Sequence, residues 1–439
     1  MYFPNRNAPI TLYESKLSDF DLLDRSQLSR DLSELLERID EPLVVALDGN
    51  WGTGKSFFLK CWVGDHALAN SGTARTIYFD AFESDYFREP LVALTEAIAD
   101  RFNDKKDKGR VEKLRSAAQR LWRPAARIAL AVATTGATEV AGAVADAGIE
   151  AFSKEIEAEV EKVWQSEIGR QQSVLSFKSA LSELTYANGG QKILFVIDEL
   201  DRCRPDFALE IIEISKHFFN IPNVHFVLGA NWSALEASVT SKYGDKIDAR
   251  GYLSKFISIK MNMPERVITR GATSFSALKY LDAKSKELNV PSAIHEELRF
   301  YFRSKVMVSR LTLRGVDRLL SEISLLPNGD NVLTRLYPGY RMALVGLCIL
   351  KSGEIELFDR LKEGRAEFSE LIDYFDFDPN ADEHRSVVLN LCWCVFQNRK
   401  IKKEPASSGF FDPFGIRDGR EALDGLIKDY IEKFEFPQP

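Results

Sequence analysis

The sequence is poor in the residues that disulfide-bonded and zinc-binding proteins rely on: only five cysteines and five histidines occur among 439 residues. The cysteines (Cys61, Cys203, Cys348, Cys392 and Cys394) are odd in number and scattered, which argues against a secreted disulfide framework and for reduced thiols. Cys392 and Cys394 lie close together, but no His or Cys pair accompanies them at zinc spacing, so no zinc site is expected. The first residues lack an apolar run followed by small residues, so no signal peptide is expected and the chain reads as cytoplasmic. Long apolar runs are also missing. In the best stretch, Pro124 to Glu150, the uncharged run Ile128–Thr138 is far shorter than the roughly 20 residues that a spanning helix needs. The net charge of −7 argues against a general nucleic-acid coat, although it leaves room for a local basic patch.

What is present is an ordinary globular composition, 45 % hydrophobic and 28 % charged, in a chain long enough for two or three units. Leu43–Asp48 is a short apolar run bounded by Pro42 and Gly49, as a buried parallel strand would be. Gly49-Asn50-Trp51-Gly52-Thr53-Gly54-Lys55-Ser56 follows at once and fits GxxxxGK[ST], with an apolar helix-forming stretch after it. Glycines let successive backbone N–H groups wrap phosphates, and the following helix adds its positive end. Lys55 is then the candidate for the β- and γ-phosphates, and the hydroxyl of Ser56 for Mg²⁺.

Ile193–Ile197 is a second unbroken apolar run, and it ends in Asp198-Glu199-Leu200-Asp201-Arg202. Asp198 stands where a Walker B aspartate holds Mg²⁺, and Glu199 is the candidate general base or water-orienting group. Arg75–Phe82 reads as another strand and Pro205–Asn220 as a helix. Asn223–Asn231 reads as a further strand, with Asn231 at its end either sensing the γ-phosphate or simply closing the strand. The expected fold is therefore α/β, a P-loop parallel sheet flanked by helices.

These motifs together resemble the KAP family of P-loop NTPases, which typically shows a WGxGKS loop and a D[DE]LDRC element. Tyr243-Gly244-Asp245 leading to Tyr252–Ile257 and Met263-Pro264, and the run Leu313–Leu320 with Arg314 and Arg318, look similar to it as well. The resemblance covers roughly residues 10 to 325. It implies an additional-strand P-loop fold, ATP use and a mostly bacterial setting in which some members exclude phage. Two features depart from the pattern. Many members carry transmembrane helices in the long insertion, which here is too polar, and Asn231 stands where the family often has Asp. Arg202 or Arg204 is a candidate arginine finger for a neighbouring subunit, or else Arg202 pairs with Asp198 or Asp201 to hold the loop. Arg314 either reaches the γ-phosphate from a helical lid or is a plain helix-surface arginine.

The expected organisation is a core over residues 1–100 and 185–265, a helical insertion over 101–184, a lid over 266–330 and a helical C-terminal region over 331–439. From Arg101 to Arg123 nine Lys or Arg face three Asp or Glu, then an Ala/Gly-rich stretch and an acidic one follow. That order fits a self-packed or oligomerising hairpin arm, with membrane-surface contact, nucleic-acid contact through residues 101–150 or a solvated charge run as alternatives. The C-terminal third shows no nuclease, protease or glycosidase constellation. The function expected is an ATP- and Mg²⁺-dependent switch or motor core that oligomerises and serves a protein partner. The alternative is a nucleotide-gated scaffold with negligible turnover.

Overall fold

The computed structural model describes residues 10–86, 89–119, 121, 172–186, 191–269, 272–327, 332–399, 410–411 and 418–433. The middle of the expected arm, residues 122–171, lies outside them.

Five parallel strands form the central sheet: β1 (Val44–Asp48), β2 (Arg75–Asp80), β3 (Ile193–Asp198), β4 (Val224–Ala230) and β5 (Ile259–Asn262). Their spatial order is β2-β3-β4-β1-β5, so β4 stands between the strand before the phosphate loop and the strand ending in Asp198. This is the additional-strand arrangement. All six residues of β3 and all seven of β4 are buried, because helices cover both faces, and so both read as continuous apolar runs. β5 lies at the edge and alternates half-buried Ile259 and Met261 with exposed Lys260 and Asn262.

The period of two along each strand divides the core in two. On one face Ile77, Phe79, Phe195, Ile197, Phe226 and Leu228 pack into an apolar cluster with residues of α4 (Pro90–Arg101), α7 (Pro205–His217) and α8 (Trp232–Tyr243). The helices α5 (108–119) and α6 (172–186) join the same layer through Leu114, Phe177 and Leu181. On the other face Val45, Leu47, Leu194, Val196 and Val227 meet α2 (Ser26–Arg38) and α3 (Lys55–Leu68) through Leu32, Leu36, Phe58 and Trp62. α2 is fixed at its far end by Lys192, whose Nζ donates to the terminal carbonyls of Glu37 and Ile39, both at 2.6 Å.

After the sheet come a two-stranded antiparallel ribbon, β6 (Arg266–Thr269) with β7 (Ala272–Phe275), and then helices only. Among these α10 (Ser276–Glu287), α13 (Leu313–Leu325), α15 (Pro338–Gly353) and α18 (His384–Phe396) share one apolar cluster that runs from Leu281 to Ile431. The helices on both sides of residue 330 are thus packed through a common core. α15 is buried along most of its length, as a helix apolar on all sides must be. No helix among the described residues is long and apolar enough to cross a membrane.

Candidate functional site

The loop after β1 turns through two left-handed glycines, Gly52 at φ +78° and Gly54 at φ +83°, before α3 begins at Lys55. The free N-terminal end of α3 therefore points into the space that the loop encloses. Lys55 is buried, and its Nζ donates to the carbonyls of Gly49 at 2.5 Å and Asn50 at 3.2 Å. Burial lowers its pKa, against the pull of Asp201, Asp198 and Asp48.

β3 delivers Asp198 to the same place, buried at 1 % exposure. Oδ1 accepts the backbone N–H of Glu199 and Oδ2 accepts the phenol of Tyr78, each at 2.9 Å. Burial raises the Asp198 pKa, and these hydrogen bonds oppose the rise. At Glu199 the chain takes a left-handed turn, φ +58°, into a short 3₁₀ helix over Leu200–Arg202. The turn brings the Glu199 carboxylate back toward Ser56, whose Oγ donates to Oε1 at 3.3 Å. Burial raises its pKa too, and Arg202 works against it.

The start of α13, within the expected lid segment, packs against this end. The backbone N–H of Leu313, at the start of α13, donates to the carbonyl of Gly52 at 3.0 Å. Thr312 caps α13 by accepting from the N–H of Gly315 at 3.0 Å. Between loop and lid lies a cavity of about 520 Å³, lined by Trp51, Gly52, Gly54, Lys55, Ser56, Asp198, Glu199, Asp201, Arg202 and Arg314. Its far end is made by Asp19 to Leu23 with Tyr280, Lys284 and Asp317. Gly52 and Gly54 of the loop thus meet Arg314 in one cavity. Asn231 does not line it. That residue follows β4 and is the N-cap of α8, and its side chain makes no capping hydrogen bond there.

The two arginines after the acidic cluster take different partners, and that of Arg202 differs from expectation. Arg202 pairs with Glu199, Nη1 to Oε2 at 2.9 Å, rather than with Asp198 or Asp201, because the 3₁₀ turn stacks positions 199 and 202 on one side. Arg204 is not among the residues lining the cavity and binds Asp85, with Nε to Oδ1 at 3.0 Å.

Arg25 is the residue that motif reading missed. It is 3 % exposed at the start of α2, and its guanidinium donates to the loop carbonyls of Thr53 at 2.8 Å and Gly54 at 3.3 Å. Burial lowers its pKa to about 10. The sequence signal available was its place just before the apolar-periodic run of α2 and four residues after Asp21, whose carboxylate accepts the N–H of Arg25.

The donor set beside Lys55 is one hydroxyl and two carboxylates, hard oxygens of the kind Mg²⁺ selects.

Comparison with solved structures gives distant likenesses. ORC2 of Aeropyrum pernix, in its ADPNP–ADP complexes, is 12 % identical over 92 % of this chain and 94 % of that one, with a TM-score of 0.37. Cdc6p of Pyrobaculum aerophilum is 14 % identical over 81 % of this chain and 85 % of that one, with a TM-score of 0.36. Comparison with curated protein sequences gave no match. The family comparison is different in kind: residues 25–328 match the KAP family P-loop domain, and this span holds the loop, the acidic strand end and the lid helix α13. With that match and the geometry in agreement, the chain belongs to the KAP family of P-loop NTPases.

Proposed function

We propose that the chain binds ATP with Mg²⁺ and hydrolyses it by attack of water on the γ-phosphate, as a switch or motor core for a protein partner. The observation that carries this reading is the convergence of Lys55, Ser56, Asp198 and Glu199 on one cavity under the lid. In this reading the backbone N–H groups of Gly49 to Ser56 cradle the phosphates, with Asn50, Trp51 and Thr53 shaping the loop. Ser56 and Asp198 hold the metal, and Lys55 leaves its loop carbonyls to meet the γ-phosphate. Bound Mg²⁺ supplies charge neutralisation at the β- and γ-phosphates. Glu199 orients the water and takes its proton, and Arg314 approaches the γ-phosphate from the lid. Asn231, directly after the strand between β1 and β3, would sense the γ-phosphate in this reading.

One observation favours a second reading, a nucleotide-gated scaffold with negligible turnover. Glu199 is already engaged by Arg202 and Ser56, so a partner that draws Arg202 away would be needed to free the base. In that case Arg202 serves as a lock within the chain and not as a finger between chains. Antiphage defence rests on the family resemblance, a cytoplasmic setting on the cysteine usage and the first residues, and an oligomerising or partner-binding role for residues 101–184 on their order of basic, Ala/Gly-rich and acidic stretches. Deleting the gene and plating a broad phage panel tests the first: unchanged plating removes it. Phosphate release from ATP by wild type and Lys55→Ala tests the enzymatic reading, which expects turnover in the first and none in the second.

A further inference from the structure

We propose that Tyr78 is the positioning residue of Asp198, aiming its carboxylate at the metal that binds beside Ser56. This inference rests on the reading of Asp198 as a Mg²⁺ ligand.

The sheet register puts the two residues within reach. Tyr78 on β2 is level with Val196 on β3, and Asp80 with Asp198. Side chains alternate between faces, so Tyr78 and Asp198 share the face toward α3 and are diagonal neighbours. The phenol spans that diagonal and donates to Oδ2 at 2.9 Å. The N–H of Glu199 holds Oδ1 at 2.9 Å. A third wall comes from β4, where a Cβ added to Gly229 would stand 3.0 Å from Asp198 Oδ1 and 2.4 Å from Leu59 Cδ1. The carboxylate is thus held at both oxygens and packed on one side, which narrows the orientations from which it can ligate.

Tyr78 is itself well anchored. Its backbone N–H donates to the Tyr13 phenol at 2.9 Å, and the Lys60 ammonium lies 5.5 Å from its ring centroid. The donor to a ligating carboxylate typically governs metal affinity by about 10- to 100-fold. Phe at this position would keep the ring in the core and remove only the hydrogen bond.

The test is binding of ADPNP to the full chain at graded free Mg²⁺ and in EDTA, for wild type, Tyr78→Phe and Asp198→Asn. Tyr78→Phe is expected to raise the Mg²⁺ midpoint about tenfold and to leave binding in EDTA unchanged. A wild-type midpoint in Tyr78→Phe would overturn the proposal. So would an equal loss with Mg²⁺ and in EDTA, because a merely structural role lowers both. If Asp198→Asn keeps the full Mg²⁺ dependence, the metal assignment fails and takes this proposal with it. If Asp198→Asn loses that dependence and Tyr78→Phe does not, the positioning role alone fails.

Discussion

The indole N–H of Trp51 donates to Oδ2 of Asp201 at 2.5 Å, tying the phosphate loop to the turn that follows β3. The two motifs that define the site are therefore joined at their tips as well as through the sheet. Trp51 is 55 % exposed, so solvent competes for the contact and it contributes about 1 kcal/mol. If it preorganises the loop, Asp201→Ala should lower nucleotide affinity about fivefold. Unchanged or tighter binding would mean that the contact does not organise the loop.

Gly52 links the loop to the lid. Its φ of +78° disfavours any side chain, and an added Cβ would stand 3.0 Å from Thr312 Oγ1 and 3.2 Å from Arg314 Cβ. Gly52→Ala is expected to push the start of α13 off the loop. The cost of about 1–3 kcal/mol should weaken nucleotide binding by roughly five- to 150-fold and lower the thermal midpoint of the chain. Calorimetric titration beside a thermal melt checks both parts.

Arg25 holds two loop carbonyls from a buried position, and its Nε has no hydrogen-bond partner. A lysine there offers one point of charge in place of a planar fork. Arg25→Lys should therefore lose about tenfold in nucleotide affinity and Arg25→Leu more, because the loop carbonyls lose their donors. Wild-type binding by Arg25→Leu would show that the loop is held by its own turn alone.

His225 gives a pH dependence with a definite sign. Its Nδ1 accepts the N–H of Leu43 at 3.2 Å, and burial lowers its pKa from 6.5 to about 4, with Lys192 adding to the shift and Asp40 and Glu37 opposing it. The folded state therefore binds fewer protons than the unfolded one between these values. Stability should fall as pH drops from 6.5 toward about 4, by up to roughly 3 kcal/mol from this group, with no further loss from it below. Denaturant melts from pH 7 to 4 should show this slope in wild type and a shallower one in His225→Asn.

Legibility in the sequence followed burial. β1, β3 and β4 are covered on both faces, so apolar runs marked each of them to within a residue or two. β5 was not legible because Ile259-Lys260-Met261-Asn262 is a four-residue edge strand with polar alternate positions. The hairpin of β6 and β7 was missed as well. That Gly52, Gly54, Lys55, Ser56, Asp198 and Glu199 meet at one cavity was legible, because the motifs of the family fix residue type and local spacing at two strand ends. Arg25 and Tyr78 were not, since each acts across a long sequence separation set by the α2–α3 packing and the β2–β3 register. The partner of Arg202 was misread because only the left-handed turn at Glu199 places it.

The central claim is that Glu199 activates water against a nucleotide held by the loop and Asp198. Steady-state phosphate release by wild type and Glu199→Gln, with ADPNP binding measured in parallel, tests it most directly. The account predicts turnover in wild type that falls by about 10²- to 10⁴-fold in the variant while binding persists. Equal turnover in both proteins, with binding intact, would contradict it.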